Sequence, residues 1–172
     1  MAKSSIEDFN DAATIDLSTP RPIHTCNWSP PPPGVFKINV DGASSDLEGT
    51  SSIGAIIRGY KGDTIAALCK PLQAHFSAKL AEVLPMKQGI LLAQELLLPR
   101  VMFESDAITM INATFGTPFR HIIQDIIHTQ ASFEFCSFRH LNRAFNYAAM
   151  SLLNLPVGMA FHICGKGLPP PF

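Results

Sequence analysis

Residues 35–42 read Val35-Phe36-Lys37-Ile38-Asn39-Val40-Asp41-Gly42. Phe36, Ile38 and Val40 alternate with Lys37, Asn39 and Asp41, the period-2 signature of a strand with one buried face. Gly42 after it is a turn or bulge signal. Two further β-branched, apolar runs follow, Ser52 to Arg58 and Thr64 to Cys69, joined by the hairpin-type connection Gly59-Tyr60-Lys61-Gly62-Asp63. Three strands on short connections make an antiparallel meander.

Beyond the meander the period changes. Ser77 to Leu97 carries helical spacing through Leu80, Leu84, Leu91 and Leu92, and Pro99 ends it. Arg100 to Glu104 is a short strand with Val101 and Phe103 on one face. Asp106 to Thr114 is expected to be a helix with Ser105 as N-cap. Pro118 to Thr129 is a second helix striped by Ile122, Ile123, Ile126 and Ile127. Ser132 to Arg139 is a fifth strand and Asn142 to Leu153 a closing helix. The order βββ-α-β-α(α)-β-α predicts an α/β fold: a five-stranded mixed sheet, an antiparallel meander plus two parallel strands, flanked by helices on right-handed crossovers.

The chain has 172 residues, 47% apolar and 16% charged, enough for one domain with a real core. Residues 1–27 are polar and aperiodic and read as a disordered leader or linker, residues 28–153 as the domain, and residues 154–172 as an apolar, Pro-rich tail. Pro30 to Pro33 read as a stiff spacer rather than an SH3-type ligand. Met1 to Asn10 lack the apolar core of a secretory signal. No apolar run reaches the roughly 18 residues of a membrane span. Cys26, Cys69, Cys136 and Cys164 are too far apart in sequence for a metal knuckle. Reduced thiols in an intracellular protein, a monomer with no membrane partner, are the expectation. The net charge is −1, without the overall basic excess of a strong nucleic-acid binder.

Three acids stand out by position. Asp41 ends an apolar strand and precedes Gly42; Glu82 sits inside Leu80-Ala81-Glu82-Val83-Leu84; Asp106 directly follows a strand. If the first and fourth strands are parallel neighbours, Asp41 and Asp106 emerge at the same end of the sheet, and the helix after the meander delivers Glu82. Converging carboxylates repel one another and favour a cation. Their oxygens are ligands that Mg²⁺ or Mn²⁺ prefers. N-caps or surface ion pairs are the alternative roles for each acid.

Taken in order, Trp28-Ser-Pro-Pro-Pro-Pro-Gly34-Val-Phe-Lys37-Ile-Asn39-Val-Asp41-Gly42-Ala43, Ile53-Gly54-Ala55-Ile56-Ile57-Arg58, Ala81-Glu82, Phe103-Glu104-Ser105-Asp106-Ala107 and His140-x-x-Arg143-x-x-Asn146-x-x-Ala149 resemble the plant RNase H-like family. Members of that family stand alone or close the reverse-transcriptase polyproteins of non-LTR retroelements. The resemblance spans about 125 residues and implies metal-dependent cleavage of the RNA strand of RNA–DNA hybrids. It assigns Asp41, Glu82 and Asp106 to a two-ion Mg²⁺ (or Mn²⁺) site. It also matches His140 to a histidine that aids proton transfer or product release, a task suited to imidazole; a structural imidazole at a strand end is the other reading. Arg139, Arg143 and Asn146 are expected nucleic-acid contacts, with a surface ion pair the alternative for Arg143.

The chain departs from the family in three places. Met150, ten residues after His140, occupies the fourth carboxylate position, and a thioether is a poor ligand for a hard cation. Pro85 sits three residues after Glu82, where it either kinks the helix or occupies the first turn of a restarted one. Between Asp106 and Phe133 the basic or imidazole side chains are Arg120, His121 and His128 only, so the basic helical insertion of some RNase H enzymes is missing. A hybrid ribonuclease and a weak or inactive nucleic-acid-binding module or retroelement remnant are therefore both expected readings.

Overall fold

The structure, a computed structural model, describes residues 28–72, 74–106 and 119–153. Strands β1 (Phe36–Ser45), β2 (Thr50–Arg58) and β3 (Thr64–Leu72) form the meander. Helix α1 (Ala78–Glu95) leads to β4 (Arg100–Ser105). Helix α2 (Arg120–Gln130) leads to β5 (Phe135–His140). A 3₁₀ turn (Arg143–Phe145) and helix α3 (Tyr147–Leu153) follow. The sheet order is β3-β2-β1-β4-β5, with β4 parallel to both β1 and β5. This is the mixed sheet expected from the sequence. The expected helix from Asp106 to Thr114 lies outside the described residues beyond Asp106.

One sheet face carries the main core. Ile38 and Val40 of β1, Ala55 and Ile57 of β2, and Val101 and Phe103 of β4 pack against Val83, Met86 and Ile90 of α1 and Ile122, Ile123 and Ile126 of α2. Helix α1 lies very close to β1: a Cβ at Gly89 would meet Val40 Cγ1 at 2.7 Å. Ser77 caps α1, its hydroxyl accepting from the Leu80 N–H at 3.4 Å. At the other end Leu97 takes φ +52°, and the Leu97 and Leu98 N–H groups close the helix on the Gln94 and Ala93 carbonyls.

The opposite face differs from the sequence expectation. Lys37, Asn39 and Asp41 were expected on an exposed face, yet all three are buried. Trp28, the 3₁₀ turn and α3 border that face, and a polar network links Lys37 and Asn39 to Glu104 and Arg58. Lys37 Nζ pairs with Glu104 Oε1 at 2.7 Å and donates to the Ser29 carbonyl at 2.7 Å. Asn39 Nδ2 donates to Glu104 Oε2 at 3.2 Å, and Arg58 Nη2 donates to Asn39 Oδ1 at 2.7 Å. The Arg58 guanidinium lies 4.5 Å from the Trp28 ring centre.

Three boundaries also move. β1 runs through Gly42, which pairs with Ile53 instead of turning the chain. β5 begins at Phe135, after Glu134 and Phe135 donate to the Pro99 carbonyl. The closing helix splits because Asn142 caps a 3₁₀ turn, its Oδ1 accepting from the Ala144 N–H at 3.0 Å, and α3 starts only at Tyr147.

Candidate metal and nucleic-acid site

The parallel register aligns the first pair of acids. Asn39 lies opposite Glu104, so Asp41 stands two residues further along β1, and Asp106 directly follows the last residue of β4 at the same end of the sheet. They lie past the last paired residues of β1 and β4, at the carboxyl end of the parallel pair, the end where open sheets of this kind hold ligands.

Gly42 and Pro85 bring the third acid in. Pro85 is inside α1, which continues through it from Ala78 to Glu95, so the helix does not restart there. Proline has no N–H to donate to the carbonyl four residues back, that of Ala81. That carbonyl faces Gly42: a Cβ added to Gly42 would sit 2.0 Å from Ala81 O and 2.7 Å from Pro85 Cγ. Glycine thus lets α1 rest on β1 at the turn that carries Glu82, one residue from Ala81, as Asp41 is one residue from Gly42.

The electrostatics follow from that proximity. The Asp41 carboxyl is raised from 3.8 to about 6, first by burial and then by the charge of Asp106, with Glu82 adding to it; the Gly42 N–H and the Arg143 charge act the other way. Glu82 is pushed upward by burial and by Asp106, and Arg143 again opposes. Asp41 Oδ1 accepts from the Gly42 N–H at 2.9 Å. Among the described residues, no hydrogen-bond partner reaches the buried Asp41 Oδ2 or Glu82 Oε2.

The three acids are therefore brought within one electrostatic field, joined by Arg143. They are not brought into a finished chelate: among the described residues no three His, Cys, Asp or Glu side chains converge tightly enough to hold a metal ion. The donor set nonetheless fits a hard divalent cation, being all oxygen, with two buried carboxylate oxygens lacking any donor.

The remaining expected residues fall in different places. Arg139 and His140 are exposed at the end of β5, and Arg143 is exposed on the 3₁₀ turn. Asn146 is not an exposed contact. It is 1% exposed, and its Nδ2 donates to the Val40 carbonyl at 2.9 Å, so it ties the start of α3 to the peptide preceding Asp41. Met150 is half-buried on α3, one residue after Ala149, whose carbonyl lies against Gly54. Sequence reasoning missed the Lys37–Glu104–Asn39–Arg58 network beneath the site. Its signal was three polar residues in the first strand, and Arg58 and Glu104 on the two strands that flank it.

The fold has solved relatives. RNase H1 from the halophilic archaeon Halobacterium salinarum superposes with a TM-score of 0.62 at 18% identity, covering 69% of this chain and 93% of that one. The N-terminal RNase H domain of a Mycobacterium tuberculosis protein gives 0.60 at 18% identity, covering 69% and 95%. An RNase H1 isolated from compost, in complex with an RNA/DNA hybrid, gives 0.58 at 17% identity, covering 68% and 92%. At these identities the likeness is one of fold alone, the RNase H fold, and it does not reach the narrower plant family of the sequence resemblance. No curated protein sequence matches the chain. Residues 39–155 match the reverse transcriptase-like family. With more than half its length matched, and an RNase H fold around Asp41, the chain belongs to the reverse transcriptase-like family.

Proposed function

We propose that this chain binds RNA–DNA hybrids at the Asp41–Glu82–Asp106 end of its sheet and hydrolyses the RNA strand in a divalent-cation-dependent reaction, slowed by Met150. The observation that carries this reading is the pair of buried, unpartnered carboxylate oxygens, Asp41 Oδ2 and Glu82 Oε2, in a cluster of like charges. Such an arrangement costs stability in the cation-free protein and is offset when a cation arrives.

Mg²⁺ or Mn²⁺ held by Asp41, Glu82 and Asp106 would supply an activated water and charge stabilisation for the leaving oxygen. The chain's own residues do the rest. Asn146 and the Gly42 N–H fix the backbone and one oxygen of Asp41. Arg143 adds a positive charge where the scissile phosphate would lie, and Arg139 extends that charge along the exposed end of β5. His140, exposed next to Arg139, would carry a proton to or from solvent. Hybrid shape and 2′-hydroxyls, not base sequence, are the features such a surface reads.

The test is cleavage of a hybrid labelled on the RNA strand, with Mg²⁺ or Mn²⁺, by the wild-type chain and by Asp41→Asn. RNA fragments from the wild type alone support the reading. Equal products from both proteins, or none from either, sink it. A second reading, a hybrid-binding module without turnover, is favoured by Met150 at the fourth carboxylate position. Hybrid affinity without cleavage would select it, and neither affinity nor cleavage would leave a retroelement remnant.

A further inference from the structure

The polar network under Trp28 opens onto a cleft that the carboxylate site does not use. It has a volume of about 380 Å³ and is lined by Trp28, Arg58, Ala144, Phe145, Tyr147 and Ala148. A smaller hollow of about 140 Å³ adjoins it on the other side of Trp28 and Phe145, and reaches Lys37 and Glu104. Three of the chain's aromatic side chains meet here. Phe145 is 46% exposed and Tyr147 74% exposed, although the apolar parts of both would gain by being covered.

We propose that this cleft holds an unpaired nucleobase of a single-stranded segment. The inference rests on the nucleic-acid reading of the carboxylate site and extends it to the strand beyond the duplex.

The lining decides the chemistry. Aromatic walls around a small floor, Ala144 and Ala148, suit a flat ligand. A cationic ligand is disfavoured, because the Arg58 guanidinium already occupies the Trp28 ring at 4.5 Å and Lys37 Nζ stands 5.6 Å from the same ring. Against these two positive charges the network sets one carboxylate, Glu104, leaving an excess of one positive charge beside the cleft. Arg58 donates through Nη2 to Asn39, while its Nε finds no acceptor among the described residues. A flat, apolar-faced ring attached to a negative backbone matches all three features. Bases splayed from single strands stack on aromatic and guanidinium planes in this way. Position supports it as well. Phe145 closes the same 3₁₀ turn that carries Arg143, whose charge acts on Asp41 and Glu82. A strand leaving the carboxylate end past Arg143 therefore meets the cleft within one turn of backbone.

Trp28 is the only tryptophan in the chain, so its fluorescence reports on this cleft without labelling. The full chain would be titrated at low salt with oligothymidylate and with an abasic deoxyribose-phosphate strand of equal length. A blunt, end-labelled RNA–DNA hybrid would be followed separately by anisotropy. The expected result is saturable quenching by oligothymidylate and little by the abasic strand. Tyr147→Ala and Phe145→Ala, both at exposed positions, are expected to weaken oligothymidylate binding about tenfold each while leaving blunt-hybrid affinity unchanged. Equal quenching by the abasic strand, no quenching, or undiminished binding by both variants overturns the cleft assignment. Blunt-hybrid binding retained in that case leaves the carboxylate-site reading standing. Oligothymidylate quenching without hybrid affinity would instead remove the hybrid reading and keep the cleft.

Discussion

Asp41 is subject to two opposing demands. The residue is 7% exposed and its carboxyl feels the charge of two other acids, yet one of its oxygens meets no donor among the described residues. Folding raises its pKa from 3.8 to about 6, so folding favours the protonated form. The contribution of Asp41 to stability is therefore complete below pH 3.8 and is lost as the pH rises through about 6. Glu82 shifts in the same direction. Asp41→Asn is expected to raise the melting temperature of the cation-free protein at pH 7, with the gain shrinking toward pH 4. A variant less stable than the wild type at pH 7 would show that Asp41 is satisfied by something other than a cation or a proton. At Met150 the prediction concerns activity. Met150→Asp puts a carboxylate at the fourth position that the family resemblance assigns, and hydrolysis of a hybrid in Mn²⁺ is expected to rise by on the order of ten- to a hundredfold. An unchanged rate would show that the fourth position does not limit turnover. In the sequence the three acids stand out by position: Asp41 ends an apolar strand, Glu82 sits inside an apolar helical stretch, and Asp106 directly follows a strand. The different role of Asn146 was not legible there, because its spacing from His140 and Arg143 says nothing about whether the side chain turns toward solvent or toward the Val40 carbonyl.

At the scale of elements, the contact of α1 with β1 sets the site. Gly42 admits the Ala81 carbonyl that Pro85 leaves without an N–H, so two apparent irregularities, a glycine in a strand and a proline in a helix, are two sides of one contact. Gly42→Ala places a Cβ on a backbone oxygen and is expected to destabilise the fold by about 1–3 kcal/mol in urea unfolding. A neutral effect would mean that α1 moves aside freely, and Glu82 with it. The far end of α1 offers the opposite test. Leu97 holds φ +52° while 86% exposed, so its side chain gains little from packing and its backbone is strained. Leu97→Gly is expected to stabilise the protein by about 1 kcal/mol. Existence and order of the elements followed from periodicity, Pro99 and the Gly59–Gly62 hairpin. The buried second face of β1 did not. Alternation marks Lys37 and Asn39 as outward-facing, and only the parallel pairing with β4, a long-range fact, brings Glu104 against them.

For the whole molecule, charge governs affinity. The net charge is −1, and the cations assigned to phosphate contact are Arg139 and Arg143. Two phosphate contacts predict a shallow slope of log affinity for a blunt hybrid against log salt, about −2. A slope steeper than about −5 would reveal a basic surface beyond the residues named here. The RNase H fold is specified by the core and strand register of this chain, whereas cleavage would depend on a few carboxylate oxygens, and the thioether of Met150 supplies none. Calorimetric titration of Mn²⁺ into the full chain at pH 6, in buffers of different ionisation enthalpy, tests most directly whether Asp41, Glu82 and Asp106 hold a divalent cation. Saturable binding that releases protons, because cation and proton compete for the raised Asp41 carboxyl, and that disappears in Asp41→Asn, is the predicted result. Absence of saturable binding, or binding that Asp41→Asn leaves intact, would contradict it.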